Sequence, residues 1–394
     1  MGFKQTPKHV NGNGSFHQIG IVQGQMCGPY PNRLDFLKVV GKNGIGFDAV
    51  ELAGWTLDLA VSATNEGAEA HAKALLQECQ NEGLIIATIA AHLPGQVLGD
   101  EPAAETLQFQ SGEPVEAYVA WRKAGNVPPE NDPYYVPPDV GEKMRAKATA
   151  DLLAIGRIAH HLGKLQSRNV TISGFTGAPA RHWRHWFPFP PLPGKIGDHT
   201  LPSVHDVAKK LMLERFGPVW DEYKNLGVRF GQEDHPTEMA IGDEASAEEF
   251  LKTVDDAGYA AVVGFNFDFS HKGWNYGNAT VYLRTFGERV WSVHFKGVKW
   301  TGPHTAAGII GGWLPFGDLR RSMDFVYSGS PRDMTNSQEI IVALNATGYD
   351  GALNIEIEDN QFDLTACARA ALAEVRKVDL PLSKGAFDTA FAQA

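Results

Sequence analysis

The sequence of 394 residues predicts a (β/α)₈ barrel. Eight short apolar runs alternate with longer segments whose apolar residues recur at helical spacing, which favours a closed parallel sheet over an open one. Several runs are nearly continuous in Val, Ile and Ala, as is typical of strands buried on both faces. The predicted strands are Gln18–Val22, Asp48–Leu52, Leu84–Ala91, Asn169–Ser173, Val228–Gln232, Ala260–Phe265, Arg289–Val293 and Ala352–Ile357.

Helical periodicity marks five of the segments between these strands. One of them opens with Ser246-Ala247-Glu248-Glu249, which has the form of a capping box. Gly258 and Gly348 follow two of the segments as stop signals. The predicted helices are Asn65–Glu82, Val140–Leu162, Val204–Leu226, Ser246–Ala257 and Ser337–Thr347.

We expect residues 1–394 to form a single domain, with an irregular N-terminal arm (1–16) and a C-terminal extension (378–394). Two long loops, Leu93–Pro138 and Gly174–Pro202, follow the third and fourth strands and therefore belong to the catalytic face of a barrel. Within the second loop, the segment 181–191 carries Trp183 and Trp186, which we predict to contact substrate. The alternative for this segment is an oligomer contact.

Composition excludes several classes of protein. The formal net charge of −11 disfavours binding to nucleic acid or to anionic membranes. Three cysteines without a CxxC pair predict neither a disulfide framework nor a zinc–thiolate site. No secretory signal or membrane-spanning run is visible, so the sequence predicts a cytoplasmic protein that binds neither membrane nor nucleic acid. A homo-oligomer is left open.

Acidic and histidine residues stand at the ends of the last four predicted strands. They are Glu233, Asp268, His294 and Glu356. Strand ends of a barrel converge on one mouth, so the four side chains are expected to meet there. Each residue alone has a plainer alternative, a helix N-cap or a solvated loop charge. As a set, three carboxylates and one imidazole predict a divalent metal site, with Mn²⁺ preferred and Mg²⁺, Co²⁺ or Zn²⁺ also compatible.

Motifs throughout the chain resemble the sugar phosphate isomerase/epimerase family of xylose-isomerase-like TIM barrels. The relatives of that family include 3-oxo-glycoside lyases and C-glycoside deglycosidase-like proteins. The matching pieces are Gly46–Leu52, His92–Gln96, Gly174–Gly177, Glu233–Glu238, Asn266–His271, Val293–Lys296, and several between Phe316 and Asp359. The chain departs from the family's usual pattern at Phe269, Gly297 and Ile357, beside the predicted site.

The resemblance implies that the four strand-end residues bind a divalent metal and that Glu233 and Glu356 are an acid–base pair. We therefore predict an enzyme that isomerises or epimerises a sugar or sugar derivative by removing the proton alpha to a carbonyl, through an enediolate. For this step we expect burial to bring the pKa of the catalytic carboxylate towards the working pH. Alternatives are a lyase that cleaves a 3-oxo-glycoside, O- or C-linked, by β-elimination, and a non-catalytic sugar sensor.

Further residues near predicted strand ends are candidates for contact with the carbohydrate. His92 is predicted to be a base or a substrate-hydroxyl contact. Each of these candidates has a plainer alternative as a loop charge, a core residue or a residue behind the site. Arg320 could instead form a surface pair with Arg321. The remaining candidate substrate contacts are Glu51, Trp55, Gln96, His235, His271, Lys296 and Arg320. No nucleotide-binding fingerprint occurs in a strand–turn–helix context, so no nucleotide cofactor is predicted.

Overall fold

The computed structural model describes residues 16–185, 192–236, 238–239, 243–300 and 314–380. Within them, eight parallel strands close into a barrel in which each strand pairs with its neighbours in the chain and the eighth pairs with the first. The prediction of fold class is confirmed, and every predicted strand overlaps an observed one. The strands are β1 (Ile19–Val22), β2 (Ala49–Ala53), β3 (Ile85–Ala90), β4 (Thr171–Gly174), β5 (Phe230–Glu233), β6 (Val263–Asp268), β7 (Val290–Phe295) and β8 (Leu353–Ile355).

Helices pack around the barrel. They are α1 (Arg33–Val40), α2 (Asn65–Asn81), α3 (His92–Gly99), α4 (Ala104–Leu107), α5 (Glu113–Lys123), α6 (Pro138–Gln166), α7 (Val204–Leu226), α8 (Glu244–Asp256), α9 (Phe269–Trp274), α10 (Ala279–Phe286), α11 (Ser337–Thr347) and α12 (Leu364–Val378). Short 3₁₀ helices span Gly24–Cys27, Gly54–Thr56, Val61–Ala63, Pro179–His185 and Gly287–Arg289. The predicted bounds of α7 and α11 are confirmed end to end.

The predicted start of α8 at a Ser246 capping box is wrong. The helix begins at Glu244, and the side chain of Asp243 accepts a hydrogen bond from the Ser246 backbone N–H at 2.7 Å. Asp is a good N-cap residue, and its position three residues before Ser246 lets it satisfy that N–H directly. Ser246 therefore lies inside the first turn of the helix.

Three insertions enlarge the catalytic face of the barrel. The one after β3, predicted as a long loop, contains α3, α4 and α5. The one after β4 includes a small antiparallel pair, Gly194–Ile196 with His199–Leu201. A third, which the sequence did not predict, follows β7 as an antiparallel hairpin of Gly297–Trp300 with Met323–Val326.

The core lies between the barrel and its helices and holds the functional strands in place. Phe216 and Trp220 of α7 stack with ring centroids 5.2 Å apart, and both pack on Phe230 of β5. At Gly231 a side chain would approach the backbone nitrogen of Asn266 to 2.9 Å, so glycine permits the close packing of β5 against β6. No helix in the described ranges is long and apolar enough to cross a membrane. All three cysteines are free.

Candidate metal centre

The four predicted ligands meet at the carboxyl ends of β5 to β8. Glu233 and Asp268 end β5 and β6, His294 is the penultimate residue of β7, and Glu356 directly follows β8. In the strand register, His294 pairs with Asp268 on one side and with Asn354 on the other. The proposed ligands on these neighbouring strands therefore lie at a similar height along the barrel. One potential ligand atom from each of the four lies within 4.8 Å of the others, and all four side chains are buried. We call these residues the strand-end cluster.

Three buried polar atoms of the strand-end cluster fit a bound cation. Asp268 Oδ2, His294 Nδ1 and Glu356 Oε2 are buried and have no hydrogen-bond partner in suitable geometry among the described residues. Buried polar atoms are seldom left in this state, because losing water without a replacement partner is costly. Two carboxylate oxygens and an imidazole nitrogen that face one another form a donor set suited to Mn²⁺, Mg²⁺, Co²⁺ or Zn²⁺.

His294 is oriented from behind by a carboxylate. Its Nε2 lies 3.1 and 3.2 Å from the two oxygens of Glu51, which also accepts a 2.7 Å hydrogen bond from Thr88. With the proton on Nε2, the lone pair of Nδ1 is directed towards Glu233 and Glu356, at 3.3 and 3.2 Å. A carboxylate behind a histidine is the usual way to fix the tautomer of a metal ligand. The full burial of Glu51 behind His294 does not fit the predicted contact with substrate.

Glu233 is held by two further histidines. His92 Nε2 lies 2.8 Å from Glu233 Oε2, and His271 Nε2 lies 3.3 Å from Glu233 Oε1. His271 also comes within 3.3 Å of Asp268 Oδ2. Both predicted histidines therefore contact the strand-end cluster. His92 contacts it through Glu233, a proposed metal ligand.

Lys296 joins the cluster to the solvent-facing side of the mouth. Its Nζ lies 3.0 Å from Asp268 Oδ2, 2.9 Å from Glu356 Oε2 and 3.0 Å from Glu358 Oε2. The Gln25 amide donates to Glu356 and also to Glu358, at 3.3 Å in the second case. Glu358 is one-third exposed, so this group of polar side chains forms the rim of the site.

Positive side chains control the electrostatics of the two glutamates. Burial alone would raise the pKa of Glu233, but His294 and the other histidines hold that pKa well below its ordinary value. Burial would also raise the pKa of Glu356, but Lys296 and His294 outweigh this effect, so that pKa is lowered as well. The pKa of His294 is raised well above its usual range because Glu51, Glu356 and Glu233 overcome its desolvation. This differs from the expected rise in carboxylate pKa, because sequence alone did not reveal the surrounding cations.

Two further carboxylates, the buried Glu238 and the partly buried Asp100, anchor the loop after β4. Glu238 Oε2 accepts hydrogen bonds from the backbone of Thr176 and Gly177, at 2.7 and 2.5 Å, and from the Thr176 hydroxyl at 3.1 Å. Asp100 Oδ1 accepts from Ala178 N at 2.6 Å. Burial, and then the charge of Asp100, raise the pKa of Glu238 to about 8. We call Asp100, Glu238 and Thr176–Ala178 the loop clasp.

Three predicted substrate contacts lie near the mouth in differing settings. Trp55 is 41% exposed just after β2, and its side chain hydrogen-bonds Cys27. Gln96 extends along α3 to hydrogen-bond Asp100 of the loop clasp. His235 donates from Nδ1 to Pro236 O at 2.8 Å, and its ring packs on His271 at 4.7 Å. Burial, and then His271, lower the pKa of His235 to about 3, which keeps its ring neutral.

The described residues do not place the remaining predicted contacts in the site. Arg320 is 73% exposed in its side chain and bonds to Asp318, at 3.0 and 2.7 Å, so it lies on the surface. Arg321 is buried, so the two arginines do not form a surface pair. Trp186 lies outside the described residues, and so does the side chain of Trp183. The predicted contact of the segment 181–191 with substrate therefore stays a prediction.

The three departures from the family pattern have packing explanations. Phe269 is fully buried and meets Phe295 edge-on with centroids 4.8 Å apart, and Ile357 is buried in the core. At Gly297, an added Cβ would come within 2.6 Å of the carboxylate of Asp333. That carboxylate accepts hydrogen bonds from Val298 N and Thr335 N, so a side chain at position 297 would displace it.

Sequence reasoning missed Gln25, Glu358 and Phe325. Gln25 follows β1, for which no candidate was named, and Glu358 stands two residues beyond Glu356 in a quoted motif. Phe325 packs under Lys296, whose Nζ lies 4.6 Å from the ring centroid. It belongs to the hairpin after β7, and no signal in the sequence predicted its contact with Lys296.

Comparison with known proteins identifies the family. The family described as "Xylose isomerase-like TIM barrel" matches residues 43–378. The chain belongs to this family. A search of curated proteins found no match.

Several solved structures share the fold of the chain. A 3-keto-D-glucoside 4-epimerase from E. coli aligns with a TM-score of 0.52 at 15% identity, covering 92% of this chain and 99% of that one. A xylose isomerase domain protein from Planctomyces limnophilus gives 0.51 at 16% identity, over 92% and 96% of the two chains. A D-psicose 3-epimerase from Clostridium cellulolyticum gives 0.50 at 15% identity, over 92% and 100%. At these identities the likeness establishes the barrel fold.

Proposed function

We propose that this protein is a divalent-metal-dependent enzyme that isomerises or epimerises a keto-sugar or sugar derivative. The observation that carries the proposal is the strand-end cluster, in which one potential ligand atom of each of four buried residues lies within 4.8 Å of the others. Three of the cluster's atoms make no hydrogen bond of suitable geometry in the described part of the chain. The sugar epimerases among the structures of similar fold support the class of substrate.

Glu233, Asp268, His294 and Glu356 would hold the metal, Mn²⁺ by preference. A divalent ion bound there supplies Lewis acidity for a carbonyl and its neighbouring hydroxyl, which stabilises the enediolate that forms on loss of the alpha proton. The protein's part is to keep the ligands ionised and aimed. Lys296 and the histidines do this by keeping the pKa values of Glu233 and Glu356 low despite burial.

Glu233 and Glu356 are the proposed acid–base pair. They end β5 and follow β8, so they approach the centre of the cluster from different strands. Return of the proton by the same carboxylate to the adjacent carbon gives isomerisation, and return from the second carboxylate to the opposite face gives epimerisation. His92, at 2.8 Å from Glu233, acts through that carboxylate and is proposed as a positioning residue.

The lyase alternative begins with the same proton abstraction. It differs in the fate of the enediolate, which expels a leaving group from the β-carbon in place of regaining a proton. Lys296 favours it as a second candidate, because its ammonium beside Glu356 and Glu358 could stabilise the negative charge on a departing oxygen. A sugar sensor, by contrast, gives no reason for placing two ionised carboxylates, Glu233 and Glu356, in one cluster, because binding alone needs no acid–base pair.

Incubation with keto-sugars in D₂O tests the proposal. Protein loaded with Mn²⁺ is mixed with free keto-sugars and 3-oxo-glycosides, and deuterium uptake is located by NMR. We expect deuterium on the carbon beside the carbonyl, with an isomer or epimer as product, and loss of both after chelation. A freed aglycone would identify the lyase. Full activity in chelator-treated protein, or no exchange with any of these substrates, would contradict the proposed function.

A further inference from the structure

The hairpin after β7 places aromatic side chains beside the strand-end cluster. Its first strand starts at Gly297, directly after Lys296, and the register pairs Val298 with Phe325. The Phe325 ring meets His271 edge-on with centroids 5.7 Å apart, and Lys296 Nζ lies 4.6 Å from its centroid. Because Lys296 and His271 both contact Asp268, Phe325 is one side chain away from a proposed metal ligand.

Phe316 extends this aromatic surface away from the cluster. Its ring centroid lies 6.4 Å from that of Phe325, and the side chain is 52% exposed. Phe325 itself is only partly buried. The two phenyl rings, which we call the aromatic strip, lead from the base of the metal centre to solvent.

The aromatic strip is held in place from behind. The Arg321 guanidinium lies 4.3 Å from the Phe316 ring centroid and bonds to Asp324 at 3.1 Å. Asp324 also accepts from Gly317 N at 3.1 Å and pairs with Lys299 across the hairpin at 3.4 Å. A phenyl ring that is exposed yet braced by a buried arginine is already ordered, so it loses little conformational freedom when a ligand covers it.

Such a surface does not match a free keto-sugar alone. A monosaccharide bound at the strand-end cluster finds polar partners in Lys296, Glu358 and Gln25. The phenyl rings of the aromatic strip offer no hydrogen bonds, and they suit a flat apolar group in offset or edge-on contact. We infer that the aromatic strip is a subsite for an aryl group joined to the sugar, so that the substrate is an aryl glycoside of a keto-sugar. This inference rests on the proposed function for its sugar moiety.

Binding of an unreactive ligand tests the subsite without requiring turnover. The probe is an aryl glucoside with a hydroxyl in place of the ketone, measured by saturation-transfer NMR and titration on the Mn²⁺-loaded protein. We expect the aryl protons to receive the strongest saturation. Phe316→Ala should weaken binding about tenfold, whereas glucose binding stays the same. Leu165→Ala, which changes an exposed apolar residue at the opposite end of the barrel, is the control.

Turnover then separates failure of the subsite from failure of the proposed function. With an aryl 3-oxo-glucoside, Phe316→Ala should raise KM about tenfold and leave free 3-oxo-glucose unaffected. Equal binding of the aryl probe by wild type and Phe316→Ala would overturn the subsite, even if free keto-sugars are converted. A change of oligomeric state in Phe316→Ala would overturn it too, since the strip would then be covered by another copy. Absence of turnover alongside intact aryl binding would overturn only the proposed function.

Discussion

The strand-end cluster and the loop clasp both contain buried carboxylates at the catalytic end of the barrel, yet they satisfy their oxygens differently. In the loop clasp, one oxygen of Glu238 accepts three hydrogen bonds from Thr176 and Gly177. In the strand-end cluster, Asp268 Oδ2 and Glu356 Oε2 face a common centre beside Lys296 Nζ, at 3.0 and 2.9 Å, and neither makes a hydrogen bond of suitable geometry among the described residues. The first arrangement joins two loops, and the second leaves lone pairs for a ligand.

The same contrast appears in the charges. Burial and the nearby Asp100 raise the pKa of Glu238 to about 8. Burial acts on Glu356 as well, but Lys296 and His294 lower its pKa below the ordinary value. A buried carboxylate therefore keeps its charge where cations surround it and tends to lose that charge where they do not. Removing the charge should accordingly affect catalysis at the cluster and the pH dependence of stability at the clasp.

Glu356→Gln should give the largest effect. It removes both a proposed ligand charge and one member of the acid–base pair without changing the size of the side chain. We expect kcat/KM for keto-sugar exchange to fall by about 10³-fold or more, with a melting temperature close to that of the wild type. Glu339→Gln, at an exposed position in the first turn of α11, is the control and should retain activity. Near-normal turnover by Glu356→Gln would remove this residue from the mechanism.

Glu51→Gln should have an intermediate effect, through the orientation of His294. The amide can no longer hold the Nε2 proton as a carboxylate does, so Nδ1 becomes a poorer ligand. We expect the Mn²⁺ concentration needed for half-maximal activity to rise about 10- to 100-fold, with activity recovered at high Mn²⁺. Glu78→Gln, which breaks a half-exposed pair with Arg33, is the matched control. An unchanged Mn²⁺ requirement would show that Glu51 does not act through the metal ligand.

Glu238→Gln should give the smallest effect, confined to stability. The pKa of Glu238 is about 8 in the folded chain and about 4.3 in an unfolded one. Between these values the folded state holds a proton that the unfolded state has released, so this contribution is present at low pH and is lost as pH rises towards about 8. Melting temperatures measured from pH 5 to 8.5 should therefore fall less steeply in the variant than in the wild type.

The control for this experiment is Glu248→Gln, at an exposed position on α8. It should show the wild-type dependence of melting temperature on pH. Parallel curves for Glu238→Gln and the wild type would mean that Glu238 is ionised throughout this range, and the contrast between clasp and cluster would then disappear.

The parts of the molecule that sequence predicted well are those with strong local periodicity. Buried strands and the glycine stop signal of α11 depend on nearby residues. Strand ends in a barrel converge on one mouth, so Glu233, Asp268, His294 and Glu356 could be grouped in advance. The roles of Glu51 and His92 could not, since their partners His294 and Glu233 are 243 and 141 residues away in sequence. The helices α3, α4 and α5 escaped prediction because they lie in a stretch with many prolines and acidic residues that resembles a loop. The hairpin after β7 escaped prediction because its pairing is tertiary.

The most direct test of the account is anomalous diffraction at the manganese edge from crystals of the wild-type protein grown with Mn²⁺. The account predicts one strong peak at the carboxyl end of the barrel, about 2.0–2.3 Å from an oxygen of Glu233, Asp268 and Glu356 and from Nδ1 of His294. Asp268→Ala crystals grown in the same way should lack it. No peak at this position in the wild type under saturating Mn²⁺, or a peak held by other residues, would contradict the central claim.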